Sequence, residues 1–191
     1  MKFGIRKKRC LYLYCGKKRY ISETTKTLPF TAMTLTRAVK QLEGTDLFLV
    51  TKNGVNKIIE SRYPRAELFK KAQQYLQTPV RRAGYIDQSH RSSDMVYAGE
   101  TALAEKSMLN PSRVITYAVS EKDFDKKLLN EELIDPEKQV RLELWAYSPK
   151  MFSDNQTADS LSVALSFADH PDERIAEAVE EMLEGELKDN G

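Results

Sequence analysis

Between Thr31 and Glu43 the apolar residues Leu35, Ala38, Val39 and Leu42 recur three and four apart, which puts them on one stripe of a helix. Thr31 offers an N-cap hydroxyl in front of this helix and Gly44 a stop behind it. Two strand-like runs follow, Leu47 to Thr51 and Val55 to Glu60, joined through Asn53-Gly54. That dipeptide predicts a hairpin with a type I′ turn, because both central residues of such a turn need φ > 0. Pro64 then opens a helix with Leu68, Phe69, Ala72, Tyr75 and Leu76 on one side. Ahead of the strong helix, Ser22 to Leu28 reads as a weaker one, capped by Ser22 and stopped by Pro29. Lys8 to Cys15 fits a short helix or a strand equally well.

At Gln77-Thr78-Pro79 the helical pattern stops, and strands begin to mix with helices. Val80 to Ile86 and Val114 to Val119 read as strands, with a helix from Glu100 to Leu109 between them. Ser120 to Asp123 has the spacing of a capping box and predicts another helix start. Val140, Leu142, Leu144 and Ala146 alternate with Arg141, Glu143, Trp145 and Tyr147, the period of a strand. Leu161 to Phe167 fits helix or strand, while Asp172 to Leu187 is a clean amphipathic helix. Its Ile175, Ala178, Val179, Met182 and Leu183 face inward, and Glu177, Glu180, Glu181 and Glu184 outward. The expected fold is therefore α+β in two domains, residues 1–78 and 79–191, the second a mixed α/β domain.

Charge separates the same two parts. The net charge of the 191 residues is only +2, yet residues 1–82 hold 19 Lys and Arg against 5 Asp and Glu. Residues 83–191 hold 11 against 23, so the halves stand at +14 and −12. A basic half suits a polyanion, although two oppositely charged halves can equally attract and dock on each other. No run approaches the roughly 18 apolar residues of a bilayer span, and Leu11 to Cys15 is too short for a signal-peptide core. No membrane association and a cytoplasmic location are thus the expectation. Cys10 and Cys15 are the only cysteines, and His90 and His170 stand far from them, so neither a metal nor another cofactor is expected.

The strongest pointer to function is the order of elements: helix, tight turn, second helix, hairpin. This is the layout of a winged helix-turn-helix, whose second helix must anchor by one face and reach the major groove with the other. Opposite Leu35 the strong helix carries Met33, Thr34, Thr36, Arg37, Lys40 and Gln41, with no acid among them. Arg37 suits guanine or a phosphate, Gln41 suits adenine, and Lys40 suits a phosphate. Thr31, Thr34 and Thr36 suit phosphates near a helix N-terminus. The hairpin tip from Lys52 to Lys57 is equally acid-free, so Lys52, Asn53 and Lys57 are the expected backbone contacts of a wing. Singly, such a helix is an ordinary surface helix and such a hairpin an ordinary hairpin. Their order, shared sign and short connections carry the reading.

The run from Phe30 to Glu43 also resembles the recognition helix of MarR-like winged-helix regulators. More broadly, residues 20–185 resemble winged-helix proteins related to the antitoxins of abortive-infection (type IV) toxin–antitoxin systems. The matching stretches are Thr78 to Arg82, Ala98 to Ala104, Ser107 to Pro111, Thr116 to Val119, Glu143 to Pro149, Asp159 to Ser162 and Asp172 to Ile175. Two departures stand out: Glu23 to Leu28 is poorer in Ala and Leu than the usual first helix, and the N-terminus is shorter and more basic. The resemblance implies a double-stranded DNA-binding regulator, not an enzyme, that represses its own operon. It also implies a cognate toxin or other protein as partner of the acidic half, and a palindromic operator would require a homodimer. Two alternatives remain in view: a winged helix that binds protein, and a metal-dependent nucleic-acid-processing enzyme. The latter would draw on Asp123, Asp125, Asp135, Glu143, Asp159, Asp169, Asp172 and Glu173, though their spacing demands no such site.

Overall fold

The computed structural model describes residues 18–27, 31–168 and 170–187, and the chain is mixed α and β with two separate sheets. It divides into two compact units, the first Met1–Gln77 together with Leu187–Gly191 and the second Thr78–Glu186. The segment Lys8 to Cys15, the stop at Pro29, and Asp169 lie outside the described residues.

The first unit begins with a two-residue strand, β1 (Arg19–Tyr20), that runs directly into α1 (Ile21–Thr27). Ser22 therefore sits in the first turn of α1 instead of capping it, because the chain enters the helix straight from the strand. The next helix, α2 (Ala32–Glu43), buries Leu35, Ala38, Val39 and Leu42, the stripe that its sequence spacing predicts. The Thr31 hydroxyl caps it by accepting the Thr34 N–H at 3.3 Å. Gly44 ends α2 at φ −70°, so it is not the left-handed residue of the exit; that role falls to Asp46 at φ +57°. The buried Thr45 hydroxyl donates to the Leu42 carbonyl at 2.6 Å and satisfies one acceptor at the helix end.

Strands β2 (Phe48–Asn53) and β3 (Asn56–Ser61) pair antiparallel, and β1 joins the far side of β3 to give the order β1-β3-β2. As the central strand, β3 buries both Ile58 and Ile59, one toward each face. The hairpin forms where expected, but its turn is one residue further on. Asn53 pairs with Asn56, so the loop is Gly54-Val55, and of these two only Gly54 takes a positive φ, at +61°. Glycine first with a single positive φ is the type II′ pattern, not type I′. The register explains the shift: a turn centred on Asn53-Gly54 would slide the buried Ile59 from Val50 to Phe48. Helix α3 (Arg65–Ala72) follows Pro64 and buries Leu68, Phe69 and Ala72, then tightens into a 3₁₀ turn over Gln73–Tyr75. Leu76 beyond it is buried and Tyr75 half-buried.

The second unit is a four-stranded mixed sheet in the order β4-β7-β6-β5. Its strands are β4 (Val80–Asp87), β5 (Val96–Tyr97), β6 (Thr116–Ser120) and β7 (Gln139–Trp145), with β6 and β7 parallel and the outer pairs antiparallel. Successive residues leave by opposite faces, so β6 gives Tyr117 and Val119 to one core and Ala118 to the other. The Ala118 face is covered by α4 (Gly99–Ala104), α5 (Ser160–Ser166) and α6 (Glu173–Leu187) through Ala102, Leu103, Val163, Ile175, Ala178 and Met182. Trp145 is fully buried in that core, with Tyr147 edge-on at 5.7 Å.

Two helices expected here turn out shorter. The one expected to reach Leu109 ends at Ala104, because the Lys106 N–H bonds three residues back and the Ser107 hydroxyl takes the Leu103 carbonyl at 2.8 Å. The start expected at Ser120 yields only a 3₁₀ turn, Glu121–Asp123, with the Ser120 hydroxyl accepting the Lys122 N–H. Leu161 to Phe167 resolves as helix, because the buried carboxylate of Asp159 caps it through the Ser162 N–H at 2.9 Å.

Candidate functional site

Because α2 holds to its unit by Leu35, Ala38, Val39 and Leu42, its opposite side is left to solvent. There Thr31, Met33, Thr36, Arg37, Lys40 and Gln41 are exposed and Thr34 half-buried, with Met33 keeping 65% of its surface. All the residues that the sequence places on this side are therefore brought together. The helix itself occupies part of the threonine chemistry, however. The Thr31 hydroxyl donates to Thr34 Oγ1 at 3.0 Å, and the Thr36 hydroxyl donates to the Ala32 carbonyl at 2.9 Å. Among the described residues only Thr34 of the three keeps its hydroxyl proton uncommitted for an anion.

On the hairpin, Lys52 and Lys57 are direct cross-strand partners, and both are exposed. Like charges set opposite each other on one sheet face weaken the pairing, so the lysine pair is a small local cost of the register that buries Ile59. Asn53 behaves differently from its expected role. Its amide donates to the Tyr20 hydroxyl at 3.3 Å, tying the hairpin end to β1. Val55 at the turn is completely exposed.

Arg37, Lys40, Lys52 and Lys57 have no ion-pair partner among the described residues. Two other cations of the first unit have partners, Lys18 at 3.3 Å from Glu60 and Lys71 at 3.6 Å from Glu67, while Lys26, Arg62 and Lys70 on other segments are also without an ion pair among the described residues. Arg37, Lys40, Lys52 and Lys57 share two successive elements and the acid-free stretches of the sequence. Sequence reasoning missed β1 and Tyr20, since two residues are too short to show any periodicity.

The carboxylates of the second unit are mostly held by their own neighbours. Asp159 accepts from both the backbone N–H and the hydroxyl of Ser162, which also meets the Tyr147 hydroxyl at 2.8 Å. Asp125 accepts the Lys127 N–H, and Asp135 accepts the Glu137 N–H and pairs with Lys138. Asp172 accepts the Arg174 N–H and guanidinium, and these bonds, the side-chain one foremost, hold its carboxyl below the usual range. Glu143 stands apart. Burial pushes its carboxyl up, against the opposing pull of the Trp145 indole N–H at 2.9 Å. Among the described residues no three His, Cys, Asp or Glu side chains gather in a way that could hold a metal ion, and no helix is long and apolar enough to cross a membrane.

No family model, no curated protein and no solved structure matches the chain.

Proposed function

We propose that the first unit is a winged helix-turn-helix that binds double-stranded DNA, with α2 in the major groove and the β2–β3 hairpin as the wing. The observation that carries this reading is the set of four exposed cations without ion-pair partners on these two elements, Lys52 and Lys57 facing each other across the hairpin. A duplex backbone supplies the negative charge that relieves such a pair. In this reading Arg37 and Gln41 address base edges, and Lys40 and Thr34 hold phosphate beside the α2 N-terminus. Lys52 and Lys57 follow the backbone, and Met33, exposed in the first turn of α2, is placed to meet a thymine methyl.

The resemblance to type IV antitoxin-like regulators supports a narrower form: a transcriptional regulator that represses its own operon, with the acidic unit serving a protein partner. The test is a fluorescence-anisotropy titration of the DNA upstream of its own gene, beside a scrambled duplex, over a series of salt concentrations. Log affinity should fall against log salt with a slope of about −0.9 per phosphate neutralised, about −2.7 for Lys40, Lys52 and Lys57. The upstream duplex should bind at least tenfold tighter than the scrambled one. A flat salt dependence would point instead to a winged helix that binds protein, and equal affinity for both duplexes removes the regulator reading.

A further inference from the structure

The sheet of the first unit is three strands wide at its base and two at its end. Strand β1 pairs with β3 only at Arg19↔Ile59 and Tyr20↔Ile58, so the third strand is lost beyond the rung Thr51↔Ile58. The two remaining rungs, Lys52↔Lys57 and Asn53↔Asn56, project past it with the Gly54-Val55 turn. Both lysines of the proposed wing therefore lie in the two-stranded part. Two strands alone hold together only marginally in water, and like charges across a rung loosen them further.

One hydrogen bond reaches this end from outside the hairpin, the Asn53 amide donating to the Tyr20 hydroxyl at 3.3 Å. Among the described residues, no other hydrogen bond or ion pair links residues 52–57 to anything beyond the hairpin. The strand register explains how the bond forms. Residues directly opposite each other, and residues two apart on one strand, share a face. Tyr20, Ile58, Thr51 and Asn53 therefore lie on one face of the sheet, and Lys52 and Lys57 on the other. Strands β1 and β2 flank β3 and so stand about 10 Å apart, which obliges the Tyr20 ring to pass over β3 to meet Asn53. The bond holds the hairpin end from the face opposite the lysines. Because β1 runs directly into α1, it also fixes that end to the chain entering the first helix.

We infer that Tyr20 is a positioning residue of the wing: by holding Asn53 across β3, its hydroxyl sets where Lys52 and Lys57 meet the DNA backbone. This role rests on the reading of the hairpin as a DNA-binding wing and gives Asn53 a different part in it. Asn53 serves the wing from inside the protein, not as a contact to the duplex. A tip already held in place loses less conformational freedom on binding, which strengthens the complex.

The experiment is fluorescence anisotropy of the full chain with the upstream duplex, arranged as double-mutant cycles. Tyr20→Phe keeps the ring and removes the hydroxyl, and should weaken binding about three- to tenfold, the range of a lost hydrogen bond. Its salt slope should be shallower than that of the wild type, because the lysines engage fewer phosphates. Asn53→Ala, an exposed site outside β1, should cost the same factor, and the two changes together no more than either alone. Lys52→Ala with Lys57→Ala should itself bind more weakly, and in that background Tyr20→Phe should cost less than about twofold. An equal loss in both backgrounds would mean that the hydroxyl does not act through the lysines, and overturns the positioning role. Full affinity of Tyr20→Phe beside a weakened lysine variant overturns it too. If removing both lysines leaves affinity unchanged, the wing reading itself fails and the role of Tyr20 falls with it. Should Tyr20→Phe fail to fold, Asn53→Ala carries the same cycle with the lysines.

Discussion

On α2 and the β2–β3 hairpin, Arg37, Lys40, Lys52 and Lys57 have no ion-pair partner among the described residues, and two of them face each other across a strand pair. In the second unit a number of charges have local work, although Glu177, Glu180 and Glu184 along α6 have no ion pair among the described residues. Asp159 caps a helix, Asp172 binds Arg174, Glu121 pairs with Lys126 at 2.8 Å, and Arg113 pairs with Glu137 at 2.8 Å. The first arrangement contributes nothing to folding and costs a little; the second is consumed by folding. Charge left idle in the folded chain is the better guide to a partner, and net charge alone does not reveal it.

The sharpest way to break this comparison is to remove idle charge and ask what else changes. Arg37→Ala with Lys40→Ala should lower affinity for the upstream duplex by about 100-fold or more, since each good contact to a base or phosphate contributes about 1–3 kcal/mol. The melting temperature should stay within error of the wild type, because neither side chain has an ion pair among the described residues. Unchanged duplex affinity in the folded double variant would remove α2 from the interface.

The opposite result is expected where charge is occupied. Asp159→Ala takes the cap from α5 and removes the carboxylate that accepts from the fully buried Ser162 hydroxyl. The loss should be about 2–4 kcal/mol, from a missing cap together with a weakened buried network. Chemical denaturation measures it, and duplex affinity per folded molecule should not move.

Legibility in the sequence follows the same division. Helix α2 was readable in full because its cap, stripe and stop are local: Thr31, Leu35 to Leu42, and Gly44. Its idle outer face was readable too, since acid-free spacing survives without knowledge of the fold. What depends on distant partners was not. The hairpin turn moved by one residue because Ile59 pairs with Val50, and Asn53 was drawn to Tyr20 on a strand of two residues. The buried state of Glu143 was hidden for the same reason, because alternation along β7 predicts a polar face that α4 to α6 in fact cover.

Glu143 sharpens the comparison through pH. Its carboxyl is raised in the folded chain, so the native state takes up a proton more readily than the unfolded chain does. Its penalty is therefore absent below the usual value of 4.5, grows as pH rises through the folded value, and is complete above it. Glu143→Gln keeps an acceptor for the Trp145 indole N–H and removes the charge. The variant should melt higher than the wild type at pH 7, with the difference shrinking toward pH 4. A gain that is the same at both pH values would show that desolvation of the carboxylate is not the cause.

The turn at Gly54 tests a smaller term. A Cβ there meets open space, so Gly54→Ala probes backbone conformation alone, at φ +61°. The cost should be about 1–3 kcal/mol, because the first central position of a type II′ turn lies in a region that only glycine adopts readily. Thermal melting reads it directly, and a cost near zero would mean that the turn rearranges.

The smallest effect has the most informative sign. Lys57→Glu puts an acid opposite Lys52 and converts a repulsive cross-strand pair into an attractive one. Pairs of this kind contribute roughly 0.2–1 kcal/mol, so the first unit should become slightly more stable. The same change removes one phosphate contact and adds repulsion toward the duplex, so affinity should fall and the salt slope should flatten by about one phosphate's worth, 0.9. Stability and affinity moving in opposite directions is what a surface kept for a polyanion requires. If both rise, or if affinity holds while stability rises, the lysine pair is only an unfavourable feature of the hairpin and the wing assignment goes with it.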